Sequence, residues 1–346
     1  LGDPVALMNT MRPSQIVVLC CLLAASSLGA QRGTPPVNGG APTPITLRDP
    51  ERLKPHAPPA AVAALVGEYA DRRDTVIVLE RDGALLALDA RGEHPVARRA
   101  FTGRPGTQTV LTWHGRTLAR RALGTDEGVT FRVTPLKPID ELRSAALAAR
   151  PPQETGKRES ELVELVVLDP TIRLDIRYAS SNNFLGAPMY SSARAFLQRP
   201  AAEAVVRAHR ALAAYGYGIL IHDAYRPWYV TKMFWDATTG ADHEFVADPA
   251  SGSRHNRGAA VDLTLCDRTT GAPVRMTGGY DEFSRRSYAR YPGGTGLQRW
   301  QRDLLRRVLE AEGFAVNPSE WWHFDFGAWR EYPLLNVPFE EIRGGK

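Results

Sequence analysis

A carboxylate set among small residues gives the first chemical signal. The run Ser253-Arg254-His255-Asn256-Arg257-Gly258-Ala259-Ala260-Val261-Asp262 leads into a stretch, Ala259–Leu265, that reads as a strand. Side chains alternate along a strand, so Val261, Leu263 and Leu265 share one face, and Asp262 shares the other with Ala260 and Thr264. A buried carboxylate without a partner is costly, and a cation removes that cost. His255, just ahead of the strand, can offer a neutral nitrogen to the same cation, and the small residues Gly258, Ala259 and Ala260 let the backbone pass close by. Far downstream, Glu320-Trp321-Trp322-His323 follows a turn at Pro318-Ser319. His255, Asp262 and His323 make two nitrogens and one oxygen, a plausible catalytic zinc set with a fourth position open to water, and Glu320 is then a spare carboxylate. Zinc brings the pKa of its water toward about 7, and such a carboxylate can carry the proton to a leaving amine. The zinc-protease signature His-Glu-x-x-His is absent, so a metallopeptidase here uses another fold. Each piece also has a bland role: a strand aspartate bound to backbone amides, a histidine packed beside core tryptophans. Spacing alone leaves both readings open, because ligands split between distant segments form no local pattern.

Rigid elements must hold these segments. Pro200 suits the first turn of a helix over Ala201–Tyr215, whose Val205, Ala208 and Leu212 recur at helical spacing and which Gly216 and Gly218 close. Gly218–Ile221 reads as a buried strand that delivers Asp223-Ala224-Tyr225-Arg226-Pro227. Leu162–Leu168 and Trp321–Phe326 read as strands, and Gln298–Glu312 as a helix ended by Gly313. This mixed order without a βαβ repeat predicts an α+β fold class, with mixed helices around a small antiparallel sheet that carries the zinc site. Ahead of it, short apolar runs between turn residues (Thr75–Glu80, Ala84–Asp89, Val110–Trp113, Leu118–Ala122, Val129–Val133) predict a small all-β domain. Its opening, Leu65-Val66-Gly67-Glu68-Tyr69, resembles β domains appended to some secreted serine hydrolases, and it holds no catalytic constellation. Gly252-Ser253-Arg254 lacks a nucleophile elbow, which argues against a serine hydrolase.

The 346 residues, 43% hydrophobic and 23% charged, suffice for one large or two ordinary domains. The net charge of +5 is not concentrated on one element: residues 151–346 hold 24 basic and 24 acidic side chains, and the surplus lies in residues 31–150. The basic residues are mostly scattered arginines without interleaved aromatics, which excludes a phosphate-tracking groove and leaves no nucleic-acid partner. That surplus could favour anionic cell-wall polymer or simply form a solvated face. Met11-Arg12, the apolar run Ile16–Ala25 and the small residues that follow predict a signal peptide over residues 1–30 and an exported, periplasmic or secreted protein. The run is too short to span a bilayer, so no transmembrane segment is expected. Cys20 and Cys21 lie inside it, which leaves Cys266 as a half-buried small hydrophobe without a disulfide partner. A Pro/Gly-rich tether over 31–60, the β domain over 61–140, a polar linker over 141–160 and the zinc domain over 161–346 complete the layout.

Together these residues carry a family likeness. Ser253-x-His255-x-x-Gly258-x-Ala260-x-Asp262 followed by Glu320-x-x-His323 resembles the zinc D-alanyl-D-alanine dipeptidases of the VanX type. The likeness extends over about residues 160–335, through Leu174-Asp175-Ile176-Arg177-Tyr178, Asp223-Ala224-Tyr225-Arg226-Pro227 and Tyr280-Asp281-Glu282-Phe283. It implies one zinc per chain on His255, Asp262 and His323, with Glu320 as general base and acid and Arg226 as transition-state stabiliser. The bland role of Arg226 is a salt bridge to Asp223. The likeness also implies that Ser253, Asp281 and Tyr178 line a dipeptide pocket in which Asp281 holds the substrate ammonium. The substrate is then a small D-amino-acid dipeptide; the alternatives are a D,D-carboxypeptidase acting on peptidoglycan stems and a non-catalytic cell-wall binding protein. Two departures stand out. The 28 residues between Arg226 and His255 form a shorter link than in the best-known members, so the loop that closes over the substrate is expected to differ. Asn256 replaces a smaller polar residue and is expected to reshape the pocket entrance.

Overall fold

The computed structural model describes residues 53–104 and 108–342. The expected signal peptide, Cys20, Cys21 and most of the expected tether lie outside them.

A short helix, α1 (Ala60–Ala63), leads into seven antiparallel strands: β1 (Gly67–Ala70), β2 (Thr75–Arg81), β3 (Ala84–Asp89), β4 (Gly92–Pro95), β5 (Phe101–Thr102), β6 (Val110–Trp113) and β7 (Arg116–Arg120). They form one sheet in the order β4-β3-β2-β1-β7-β6-β5. Alternation explains its inner face: Val76, Val78, Leu85, Ala87, Leu111 and Leu118 join Tyr69 in a hydrophobic cluster of their own. The stretch Val129–Val133, expected as a strand, pairs with none. It runs instead along the second half of the molecule, where Val133 donates its amide to Phe184 and Phe131 packs on Phe283.

Residues 141–160 also depart from expectation. Helix α2 (Ile139–Ala148) buries Leu142 and Ala146 in the larger core, and Glu154 pairs with Arg257 at 2.8 Å, so this stretch is folded onto the second half rather than spanning open space. The expected strand Leu162–Leu168 is a three-residue β8 (Leu162–Glu164) followed by one helical turn, α3 (Leu165–Leu168).

The second half is organised by strands β9 (Arg173–Leu174), β10 (Phe196–Gln198), β11 (Tyr217–Asp223), β12 (Ala260–Asp267), β13 (Phe314–Asn317) and β14 (Glu320–Phe326), and by helices α4 (Arg199–Leu212), α5 (Trp228–Ala237) and α6 (Gly296–Ala311). β10 pairs with β8, and the other five strands form a sheet ordered β13-β14-β12-β11-β9. All neighbours in it are antiparallel except β9, which runs parallel to β11, so the expected antiparallel sheet has one parallel edge. Val261, Leu263 and Leu265 of β12 join Ile219, Ile221, Val205, Leu304 and Val308 in the core, which leaves the face bearing Asp262 for chemistry. Trp321 and Trp322 are core residues, and Cys266 is fully rather than half buried. No helix among the described residues is long and apolar enough to cross a membrane.

Candidate active site

Register brings the site together. Asp262 on the central strand β12 stands directly opposite His323 on β14 and opposite Asp223 on β11. A bulge in β11 between Ile221 and Asp223 provides the second pairing: it inserts His222 and re-aims Asp223. His255 enters from a single 3-10 turn, His255–Arg257, that Gly258 closes in the left-handed conformation at φ 62°. A Cβ at Gly258 would lie 2.4 Å from Leu162, so close packing against β8 fixes this glycine along with its φ.

Three side-chain atoms converge. His255 Nε2 lies 3.0 Å from His323 Nδ1, and Asp262 Oδ1 lies 3.2 Å from the first and 3.0 Å from the second. Ligand atoms of a tetrahedral zinc with bonds of about 2.0–2.1 Å stand about 3.3 Å apart, so this spacing suits the ion. The far nitrogens fix the tautomers: His255 Nδ1 donates to the Ala224 carbonyl at 2.6 Å, and His323 Nε2 to Asp325 at 2.9 Å. With both imidazoles neutral, three lone pairs point at one another with no proton between them, an arrangement that calls for a cation. The charge shortage shows in His323: burial opposes its charged form, but Asp325 and Asp262 outweigh burial and hold its pKa well above the usual value.

The other groups surround this set. Glu320 Oε2 lies 3.7 Å from His323 Nδ1 and accepts a hydrogen bond from Asn317 at 2.8 Å. Burial pushes its pKa up to about 7 against the pull of His323, which suits a group that both takes and gives a proton. Arg226 binds Asp223 through Nη2 at 2.7 Å and Nε at 2.9 Å, and its Nη2 lies 3.8 Å from Asp262. The salt bridge to Asp223 is therefore real, and it holds the guanidinium at the donor set. Tyr178 and Phe234 lie under that guanidinium, at 5.2 and 4.9 Å. Tyr178 donates to Asp281 at 2.8 Å, and burial together with the Asp262 charge keeps the Asp281 carboxyl well above the ordinary carboxylate range. Asp281 also has φ 52°, an uncommon conformation for a residue with a Cβ. Ser253 accepts the His255 amide at 3.2 Å.

All eight residues singled out in the sequence line one cavity of about 210 Å³. Glu244, Phe245, Val246 and Ala247, from the link between Arg226 and His255, form one of its walls. Asn256 is not at the entrance: it is fully buried, donating to the Arg226 carbonyl and to Thr231 while accepting the Ser253 amide. Its extra length locks the ligand turn to the segment that carries Arg226.

The match to a known family covers residues 158–337, just over half the chain, and its description is D-Ala-D-Ala dipeptidase. The chain belongs to this dipeptidase family. Every site residue above falls inside the matched span, and the seven-stranded sheet falls outside it. Among similar proteins, the D-alanyl-D-alanine dipeptidase of Escherichia coli K12 is 36% identical over 180 residues, which is 52% of this chain and 92% of the relative. Those of Enterococcus faecium and Streptomyces coelicolor are 30% and 33% identical, over 49% and 44% of this chain and 91% and 85% of theirs.

Within this dipeptidase frame, the sequence reading missed Asp325 and Tyr280. Tyr280 donates to Asp262 Oδ2 at 3.0 Å. Asp325 had a visible signal, since two residues beyond His323 on a strand is the same face. Tyr280 stood only inside a motif of the family likeness, with no role given, and no strand or helix period pointed to it because it reaches the site from a loop.

Proposed function

We propose that the protein is a zinc dipeptidase that hydrolyses D-Ala-D-Ala, with residues 161–346 as the hydrolase and 61–140 as an appended β part. The observation that carries this reading is the meeting of three metal-ligating side chains with a buried carboxylate and a fixed guanidinium in one small cavity. Zinc held by His255, Asp262 and His323 would supply a Lewis acid for the scissile carbonyl and the attacking water. Glu320 takes a proton from that water as it attacks and returns it to the leaving amine. Arg226, clamped by Asp223, faces the negative charge that grows on the carbonyl oxygen, and so needs no rearrangement as the bond breaks. Asp281, whose carboxyl burial holds above the ordinary carboxylate range and to which Tyr178 donates, is placed to pair with the substrate ammonium, and that pairing favours its charged form. Ser253 flanks the same pocket.

The cavity's size and its single buried ammonium partner favour a free dipeptide over a stem peptide. Glu320→Ala is expected to lower kcat by about 10³-fold or more with zinc still bound, and a fully active variant would overturn the mechanism. Free D-Ala-D-Ala and a pentapeptide stem, assayed side by side, test the substrate; faster turnover of the stem would make the protein a carboxypeptidase. The leader-like first thirty residues support our proposal of an exported protein, which N-terminal sequencing of the mature form tests. The basic surplus of the β part is the basis for proposing contact with anionic cell-wall polymer, which co-sedimentation in low and high salt tests.

A further inference from the structure

A free dipeptide carries an ammonium and a carboxylate. The reading above, on which this inference rests, gives the ammonium to Asp281 and leaves the carboxylate without a partner. Among the described residues that line the cavity, Arg226 and Arg254 are the only arginines, and there is no lysine. Arg226 is committed to Asp223 and to the donor set. Arg254 is not. Its side chain is 46% exposed, and its Nε stands 3.6 Å from Asp325 Oδ2, too far for a hydrogen bond. The guanidinium rests over the Trp329 ring at 4.8 Å, and among the described residues it donates no side-chain hydrogen bond. Asp325 is meanwhile engaged through its other oxygen with His323 at 2.9 Å.

Position supports the assignment. Contacts run from Asp281 through Tyr178, Arg226 and Asp262 to His323, Asp325 and Arg254, so the path from the ammonium partner to this arginine passes through the donor set. A dipeptide whose central carbonyl sits at that set has its two charged ends on either side. Arg254 also directly precedes His255, which ties it to the ligand turn. Stacking on Trp329 orders the planar guanidinium while leaving its N–H fork free for bidentate contact with a carboxylate.

We propose that Arg254 receives the C-terminal carboxylate of the substrate and thereby restricts the enzyme to chains that end one residue beyond the scissile bond. The test compares D-Ala-D-Ala with its C-terminal amide in the wild type, Arg254→Gln and Arg254→Lys, with zinc content measured for each. The wild type is expected to prefer the free acid. Arg254→Gln is expected to raise KM for the acid about tenfold or more and KM for the amide far less, with zinc retained, so that the preference collapses. Arg254→Lys is expected to recover part of it. An unchanged preference in Arg254→Gln overturns the proposal, and so does an equal loss on both substrates accompanied by zinc loss, which would mark Arg254 as a support for Asp325. If the wild type turns over neither form, the dipeptidase reading fails and takes this inference with it; if the wild type hydrolyses the dipeptide and the variant keeps the preference, only the inference fails.

Discussion

Arg226 and Asp223 show how one buried pair can serve both folding and chemistry. Asp223 is fully buried, with Tyr190 at 2.7 Å on one oxygen and Arg226 on the other. Removing either partner strands a charge, which costs about 3–5 kcal/mol at such sites. Arg226→Lys keeps the charge but loses the two-nitrogen grip on Asp223; a fall in kcat of about 10²-fold with KM nearly constant is expected from steady-state kinetics. Asp325 acts at one remove, through His323. Asp325→Asn is expected to weaken zinc binding about 10–100-fold in a competitive chelator titration while the fold persists. Both residues were legible in principle, Asp223 by its three-residue offset from Arg226 and Asp325 by strand periodicity. What the sequence left out is direction: nothing in it says which oxygen of Asp262 meets the imidazoles and which meets Tyr280.

At the scale of elements, β12 was readable because Val261, Leu263 and Leu265 alternate with Ala260, Asp262 and Thr264, and it fell within a residue or two of its expected ends; β14 was readable from its run of aromatic residues after a turn. Helix α5 was not. Trp228–Ala237 packs against α2 through its buried Trp228, Val230, Met233 and Phe234, and only Lys232 and Asp236, paired at 2.8 Å, mark its outer face, so aromatic residues on both faces mask its period. The bulge at His222 was also invisible, although it places Asp223 opposite Asp262. The turn before β12 gives the sharpest test at this scale. Gly258→Ala meets both the positive φ and the Leu162 side chain, and a loss of about 2–4 kcal/mol is expected in urea unfolding, with reduced zinc occupancy at equal folded fraction.

At the scale of the molecule, the β part is tied down by buried polar groups rather than by a large apolar face. Glu80, 2% exposed, accepts the Gly296 amide at the start of α6 at 2.9 Å, and Arg299 donates to the Glu80 carbonyl at 2.7 Å. Glu68 accepts from Tyr291 at 3.0 Å. Glu80→Ala leaves the Gly296 amide and the Gly83 amide short of a partner, and a loss of about 1–3 kcal/mol is expected in thermal unfolding. The segment after β7 reaches further toward the site: Thr125 bonds to buried Glu282, the neighbour of Asp281, and Phe131 packs on Phe283, which stacks on the cavity residue Phe245. Composition marked this half as β, but cross-contacts between residues more than 150 positions apart leave no trace in local pattern.

The central claim is that His255, Asp262 and His323 hold one catalytic zinc. Elemental analysis of the purified protein, paired with D-Ala-D-Ala turnover before chelation, after chelation and after stoichiometric zinc return, tests it most directly. One zinc per chain is expected in the wild type and little in His255→Ala, with turnover lost and regained in step with the metal. Undiminished hydrolysis by metal-free protein, or full zinc occupancy in His255→Ala, would contradict it.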